Sequence, residues 1–211
     1  MKALVVDYGM GNLGSVRRSL EVCGATVSVS SDPSALKKSA CLILPGVGSF
    51  ADGMDQLNRR GLSEALRHAV LTERIPLLGI CLGMQLLAAE GEEGGKTQGL
   101  GLISGRVTRL VADQAETRVP HVGWNEVQFQ KSAVLFDKIP DGSDFYFVHS
   151  YQFIPESQGA ISSRTPYCGG FVSSVSSGHI FGTQFHPEKS SKRGLQLLKN
   201  FLEFSRSAVP C

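Results

Sequence analysis

IPLLGICLGMQLLAAE, residues Ile75 to Glu90, is the stretch that decides the fold. Its first part, Ile75 to Ile80, is a short apolar run with Pro76 near its start. That is the pattern of a strand buried on both faces of a parallel sheet. Its second part, Leu82 to Glu90, places Leu82, Leu86 and Ala89 at helical spacing and contains no β-branched residue, which predicts a helix. Cys81 stands at the junction, with Gly79 and Gly83 flanking it as G-x-C-x-G. This is the cysteine counterpart of the G-x-S-x-G elbow, where a strand turns sharply into a helix and presents a strained nucleophile. Small flanking residues let strand and helix approach closely. The N-terminal end of a helix favours a thiolate. A buried structural cysteine is the competing reading, and the elbow spacing favours the nucleophile.

On the N-terminal side, Lys2 to Asp7 reads as a first strand, followed by GMGNLG, Gly9 to Gly14. These glycines match the dinucleotide fingerprint G-x-G-x-x-G, and Asp32 follows a second strand, Thr26 to Ser30. Nothing later supplies a second mononucleotide-binding half, so a tight turn before a helix at Leu13 to Cys23 is the simpler reading. Pro33 to Ser39 reads as a helical crossover and Cys41 to Leu44 as a third strand, ending in PGVGSF, Pro45 to Phe50. A glycine-rich turn at the carboxyl edge of a sheet can aim backbone N–H groups at a developing oxyanion. Helices are expected at Ala51 to Arg60 and Leu62 to Glu73, with His68 as a surface or packing residue of the second.

On the C-terminal side, Gly91 to Gly99 reads as a flexible loop. From Arg106 the pattern turns to short, alternating, β-branched and aromatic segments: RVTRLV, NEVQF and DFYFVHSYQF. They are expected to extend the sheet. A closing helix at Ser191 to Phe204 carries Leu195, Leu198, Phe201 and Leu202 on one face. Between them lies HIFGTQFHPEKS, His179 to Ser190, with a strand at Ile180 to Phe185. His186 precedes Pro187, which holds it extended. Glu188, two residues on, then points the same way, so its carboxylate can orient the imidazole while the other ring nitrogen faces a thiol. Taken alone this is a solvated strand end; beside the elbow it completes a Cys-His-Glu triad.

The totals exclude several classes. With 211 residues the chain suffices for one α/β domain, read here as residues 1–211. A net charge of +2 without long basic runs argues against nucleic acid. No apolar run approaches a membrane span of about 20 residues. MKALVVDYG enters a strand directly, without a signal-peptide cleavage region. The five cysteines (Cys23, Cys41, Cys81, Cys168, Cys211) are odd in number and never paired as C-x-x-C. A reducing, cytoplasmic setting and no zinc follow.

GICLGMQ together with TQFHPE resembles the class I (triad) glutamine amidotransferases. DYGMGNLGSV, PHVGWN (Pro120 to Asn125) and YFVHSY (Tyr146 to Tyr151) narrow the likeness to the glutaminase subunits of imidazole glycerol phosphate synthase. The resemblance covers nearly the whole chain. It implies a flavodoxin-like α/β fold, with a mixed, largely parallel sheet flanked by helices. It implies that Cys81 attacks the side-chain amide of glutamine, that His186 takes the thiol proton and passes it to leaving ammonia, and that Glu188 orients His186. The oxyanion hole would comprise Leu82 and the Gly46–Val47 turn. Gly48, Gln85, Ser150 and Tyr151 resemble positions that hold glutamine. No cofactor and no metal are implied. The ammonia would pass to a separate (β/α)₈ cyclase subunit in a heterodimer, making imidazole glycerol phosphate and AICAR in histidine biosynthesis. Asn12, His121, Trp124, Asn125, Tyr146 and Lys189 would face that partner. The likeness also removes the dinucleotide reading, because GMGN becomes a loop near the partner. A subunit serving anthranilate or formylglycinamidine synthesis and a non-enzymatic module of the same fold are the alternatives. PHVGWN argues against the first, and the intact triad against the second.

Overall fold

The computed structural model describes residues 1–112, 118–129 and 133–208; Cys211 lies outside them. The chain begins β1 (Lys2–Val6), α1 (Leu13–Val22), β2 (Thr26–Ser30), β3 (Cys41–Gly46), α2 (Phe50–Arg59), α3 (Leu62–Arg67), β4 (Leu77–Cys81) and α4 (Leu82–Gln85). Strands β5 (Glu90–Gly91), β6 (Thr97–Gln98), β7 (Gly105–Arg109), β8 (His121–Phe129) and β9 (Ser143–His149) follow. Then come β10 (Tyr151–Pro155), β11 (Ile161–Thr165), β12 (Phe171–Ser177), β13 (Ile180–Thr183) and the closing helix α5 (Ser191–Ala208).

The main sheet has nine strands in the order β2-β1-β3-β4-β13-β12-β11-β8-β9. From β2 to β13 neighbours run parallel; from β13 to β9 they run antiparallel. The inner parallel strands β1, β3 and β4 read as apolar runs because both faces are covered, whereas β2 at the edge, TVSVS, alternates and is largely exposed. Leu4, Val6, Leu42 and Leu44 pack under α2, α3 and the small second sheet. Ala3, Val5, Ile43 and Ile80 pack under α1 and α5, meeting Val16, Leu20, Leu197 and Phe201. Parallel pairing sets Gly46 opposite Cys81, and Thr183 opposite Ile80. The carboxyl ends of β3, β4 and β13 therefore meet at one point, where such sheets place their sites.

Several elements depart from expectation. The elbow helix ends at Gln85 instead of reaching Glu90. The carbonyls of Leu86, Leu87 and Ala88 accept from the backbone N–H groups of Leu100 to Ile103, and Ala89 N–H pairs with Gly105, so the helical ladder has no continuation. The expected loop after it holds the hairpin of β5 and β6, with Glu90 opposite Gln98. RVTRLV and YQF do not extend the main sheet; as β7 and β10 they pair antiparallel in a four-stranded second sheet, β10-β7-β5-β6. Helix α3 gives way to a π turn at His68–Thr72, where Val70 O is bonded to His179 Nε2 at 2.8 Å. No helix among the described residues is long and apolar enough to cross a membrane.

Candidate active site

Cys81 closes β4 and opens α4 with φ +55°, a left-handed backbone that a non-glycine residue rarely adopts. The elbow is as tight as its flanking residues suggested. A Cβ at Gly83 would run into the Leu44 carbonyl oxygen, and one at Gly79 would lie 2.5 Å from the Gly83 oxygen. The sulfur sits 3.8 Å from Val148 O and accepts from Gln184 Nε2 at 3.7 Å.

The loop after β13 brings in the base. His186 keeps the extended backbone imposed by Pro187, with φ −99° and ψ 96°. Glu188 lies on a 3₁₀ turn, Pro187–Lys189, not on an extended segment as expected, and the turn still folds its carboxylate back. His186 Nδ1 and Glu188 Oε1 are 2.8 Å apart, with side chains 3% and 2% exposed. Backbone bonds fix this loop: His186 N–H donates to Tyr146 O, and Ser190 Oγ donates to His186 O at 2.6 Å. The other ring nitrogen, Nε2, is buried and forms no hydrogen bond. Burial alone would push the imidazole pKa down; Cys81 and Glu188 outweigh it and hold it at about 9.

Cys81 opens on a cavity of about 270 Å³, lined by Val47, Gly48, Leu82, Gln85, Glu93, Val148, His149, Ser150 and Tyr151. Gly46 is forced by packing, because a Cβ there would collide with the Tyr8 hydroxyl and lie 2.9 Å from Leu82 Cβ. Gly48 is forced by its backbone, at φ +111°. Gln85 is 4% exposed and donates to Tyr151 O and to Gln184 Oε1, each at 3.0 Å. The proposed glutamine-site residues are thus gathered around the thiol.

Four residues near the site were not read from the sequence. Gln184 lies fully buried between Cys81 and Gln85; its signal was an amide in a run otherwise buried on both faces. His149 shares the inward face of β9 with Phe145 and Phe147, so the alternation of DFYFVH marked it. Glu93, half-buried in the cavity wall, accepts from Phe50 N–H at 2.8 Å at the start of α2; nothing in GEEGGK distinguished it. Tyr8 is fully buried, its hydroxyl has no hydrogen-bond partner, and burial and then the charge of Cys81 raise its pKa.

The proposed partner residues divide between two faces. Trp124 is 52% exposed and stands edge-on to Tyr146 across the β8–β9 pair, with ring centroids 6.1 Å apart. Lys189 Nζ lies 5.7 Å from the Tyr146 ring centroid. Val122 and Val148, both exposed and directly opposite one another, complete an apolar strip. Asn12 is exposed and caps α1 by accepting from Ser15 N–H at 3.3 Å. Asn125 and His121 lie on the opposite face of β8. His121 is 3% exposed and underlies the strip instead of forming part of its surface. His68 is on the surface, with its side chain 61% exposed. Among the described residues no group of three His, Cys, Asp or Glu could hold a metal ion.

A strained cysteine at a strand–helix elbow thus stands near a buried His–Glu pair. The family model for glutamine amidotransferase class-I matches residues 4–204, and the chain belongs to that family. Its fold is similar to that of the structure of PurLQS from Thermotoga maritima, with a TM-score of 0.74 and 20% identity, covering 96% of this chain and 98% of that one. Imidazole glycerol phosphate synthase subunit HisH of Moorella thermoacetica is 50% identical over 204 residues, 97% of this chain and 95% of that protein. The same subunit of Chromobacterium violaceum is 46% identical over 209 residues, 96% of this chain and 97% of that protein. Within the class, the chain belongs with the HisH glutamine amidotransferase subunits of imidazole glycerol phosphate synthase.

Proposed function

We propose that the chain hydrolyses glutamine through Cys81, His186 and Glu188 and delivers the ammonia to a cyclase subunit. The observation that carries this reading is the buried imidazole, bonded to Glu188 through Nδ1, with Nε2 unpaired and Cys81 acting on its pKa. In the reaction, Cys81 Sγ attacks the amide carbon of glutamine with its proton already held on His186 Nε2, the placement that the raised pKa of His186 favours. The tetrahedral oxygen takes up negative charge and is met by backbone N–H groups of Leu82 and the Gly46–Val47 turn. The carbon–nitrogen bond breaks as His186 returns its proton to the departing nitrogen, leaving ammonia and a glutamyl thioester. Water, deprotonated by His186, attacks that thioester; glutamate leaves and the thiol is restored. Gln85, the Gly48 loop and the backbone of Ser150 and Tyr151 hold the substrate, and Glu93 offers its carboxylate to the α-ammonium group.

Residues 1–211 act as one glutamine amidotransferase domain in the cytoplasm. The partner is a (β/α)₈ cyclase that turns the ammonia into part of an imidazole ring, forming a heterodimer across the strip of Trp124 and Tyr146, with Asn12 and Lys189 at its margins. The test is glutamate release from glutamine, with and without the cyclase subunit and its nucleotide ligand. Release should be slow from the free chain, rise on addition of the partner, and vanish in Cys81→Ala while synthesis from free ammonia persists. Near-normal glutamate release by Cys81→Ala would overturn the assignment.

A further inference from the structure

Beside Cys81 the interior holds a line of polar side chains whose hydrogen-bond directions are fixed from both ends. The Tyr151 carbonyl can only accept, and it accepts from His149 Nδ1 at 2.8 Å. His149 therefore carries its proton on Nδ1, which leaves Nε2 as an acceptor. That nitrogen faces His121 Nδ1 at 3.1 Å, so His121 must be the donor there and an acceptor at Nε2. Asn125 Nδ2 stands 3.3 Å from that second nitrogen. The Asn125 amide is oriented independently, because its Oδ1 accepts from Glu126 N–H at 2.9 Å. A backbone carbonyl at one end and a backbone N–H at the other thus impose the same sense on the histidines between them.

The line continues past Tyr151. Gln85 gives one amide hydrogen to Tyr151 O and the other to Gln184 Oε1, each at 3.0 Å. Gln184 is then obliged to turn its own Nε2 to the Cys81 sulfur, 3.7 Å away. His149, Gln85 and Gln184 are 6%, 4% and 0% exposed. Burial also pushes His121 down to about 4 and His149 to about 3, so both rings stay neutral at working pH. A buried network in which every member is satisfied is rigid and has one arrangement, whereas one reversed member leaves two donors or two acceptors face to face.

We propose that the line from Asn125 to Cys81 is a positioning device that holds the sulfur and the Tyr151 carbonyl in register, with half-exposed Asn125 as its outer end. It rests on the glutaminase reading only for what it positions, so its test is independent of turnover. In the full wild-type chain, ¹⁵N NMR of the imidazoles should show both His121 and His149 as the Nδ1–H tautomer. In Asn125→Asp the outer group can no longer donate, and His121 should move its proton to Nε2 or become an imidazolium. Alkylation of Cys81 by iodoacetamide, followed by peptide mass, should then slow by about fivefold, the worth of one net hydrogen bond. Asn125→Ala removes the donor without reversing it and should slow alkylation less than Asn125→Asp. The Nε2–H tautomer at either histidine in the wild type would overturn the proposal. So would an aspartate variant, folded by its thermal melt, whose Cys81 reacts as fast as in the alanine variant. Absence of glutamate release with the tautomers as stated would instead count against the function proposed above.

Discussion

His186 gains a proton affinity on folding that the unfolded chain does not have. Its pKa stands at about 9 against 6.5, because Cys81 and Glu188 together outweigh the burial that opposes its charge. A histidine with a raised folded pKa stabilises the fold fully below its unfolded value and loses that contribution as pH climbs through the folded one. The melting temperature of the wild type should therefore exceed that of His186→Ala most below pH 6.5, with the difference shrinking toward pH 9. Melts of both proteins across that range check it. In catalysis the two partners should not be equal. Glu188→Gln keeps a group able to orient the ring, though in the wrong tautomer, whereas His186→Ala removes the base. The kcat for glutamine hydrolysis should fall further in His186→Ala; equal losses would mean that the pair acts as one unit.

At the scale of elements, the elbow depends on one contact between backbones. Gly83 of α4 lies so close to β3 that a Cβ would enter the Leu44 carbonyl oxygen. Gly83→Ala must push helix and strand apart, at a cost of about 1–3 kcal/mol or more. That is a fall in Tm of at least roughly 2–4 °C for a chain of this size. Thermal melts measure the cost, and an unchanged Tm would mean that the helix shifts freely. The sequence announced this junction because its rule is local: an apolar run, a cysteine and glycines at fixed spacing. It did not announce where α4 stops, because the end is set by the N–H groups of Leu100 to Ile103, which reach back for its carbonyls. The second sheet was hidden for a similar reason. The alternation in RVTRLV marks a strand but does not say which neighbour it pairs with, and the partners of β7, β5 and β10, are far from one another in the chain. Cys81, His186 and Glu188 were legible as motif residues. The pattern could mark Gln184 and His149 as buried, but it assigned them no partner, because their contacts with Cys81 and His121 are made only by folding.

For the whole molecule the exposed pairs on β8 and β9 matter most. Trp124, the chain's one tryptophan, is 52% exposed and so lies outside the core. Its truncation should leave the melting of the free chain unchanged. Binding to the cyclase subunit should weaken by about 2 kcal/mol or more, the range of interface hot spots. Thermal melts and titration against the partner separate these effects, and a large loss of Tm with unchanged affinity would refute the interface role. The strip has a further consequence for how the protein has to be made. A net charge of +2 gives copies of the chain little mutual repulsion, and Val122, Trp124 and Val148 present apolar surface to any neighbour. Chains produced in excess of their counterpart would adhere to one another through this surface. Solubility is therefore expected to depend on balanced synthesis with the counterpart, and a cell that overproduces this chain alone should find part of it in the pellet.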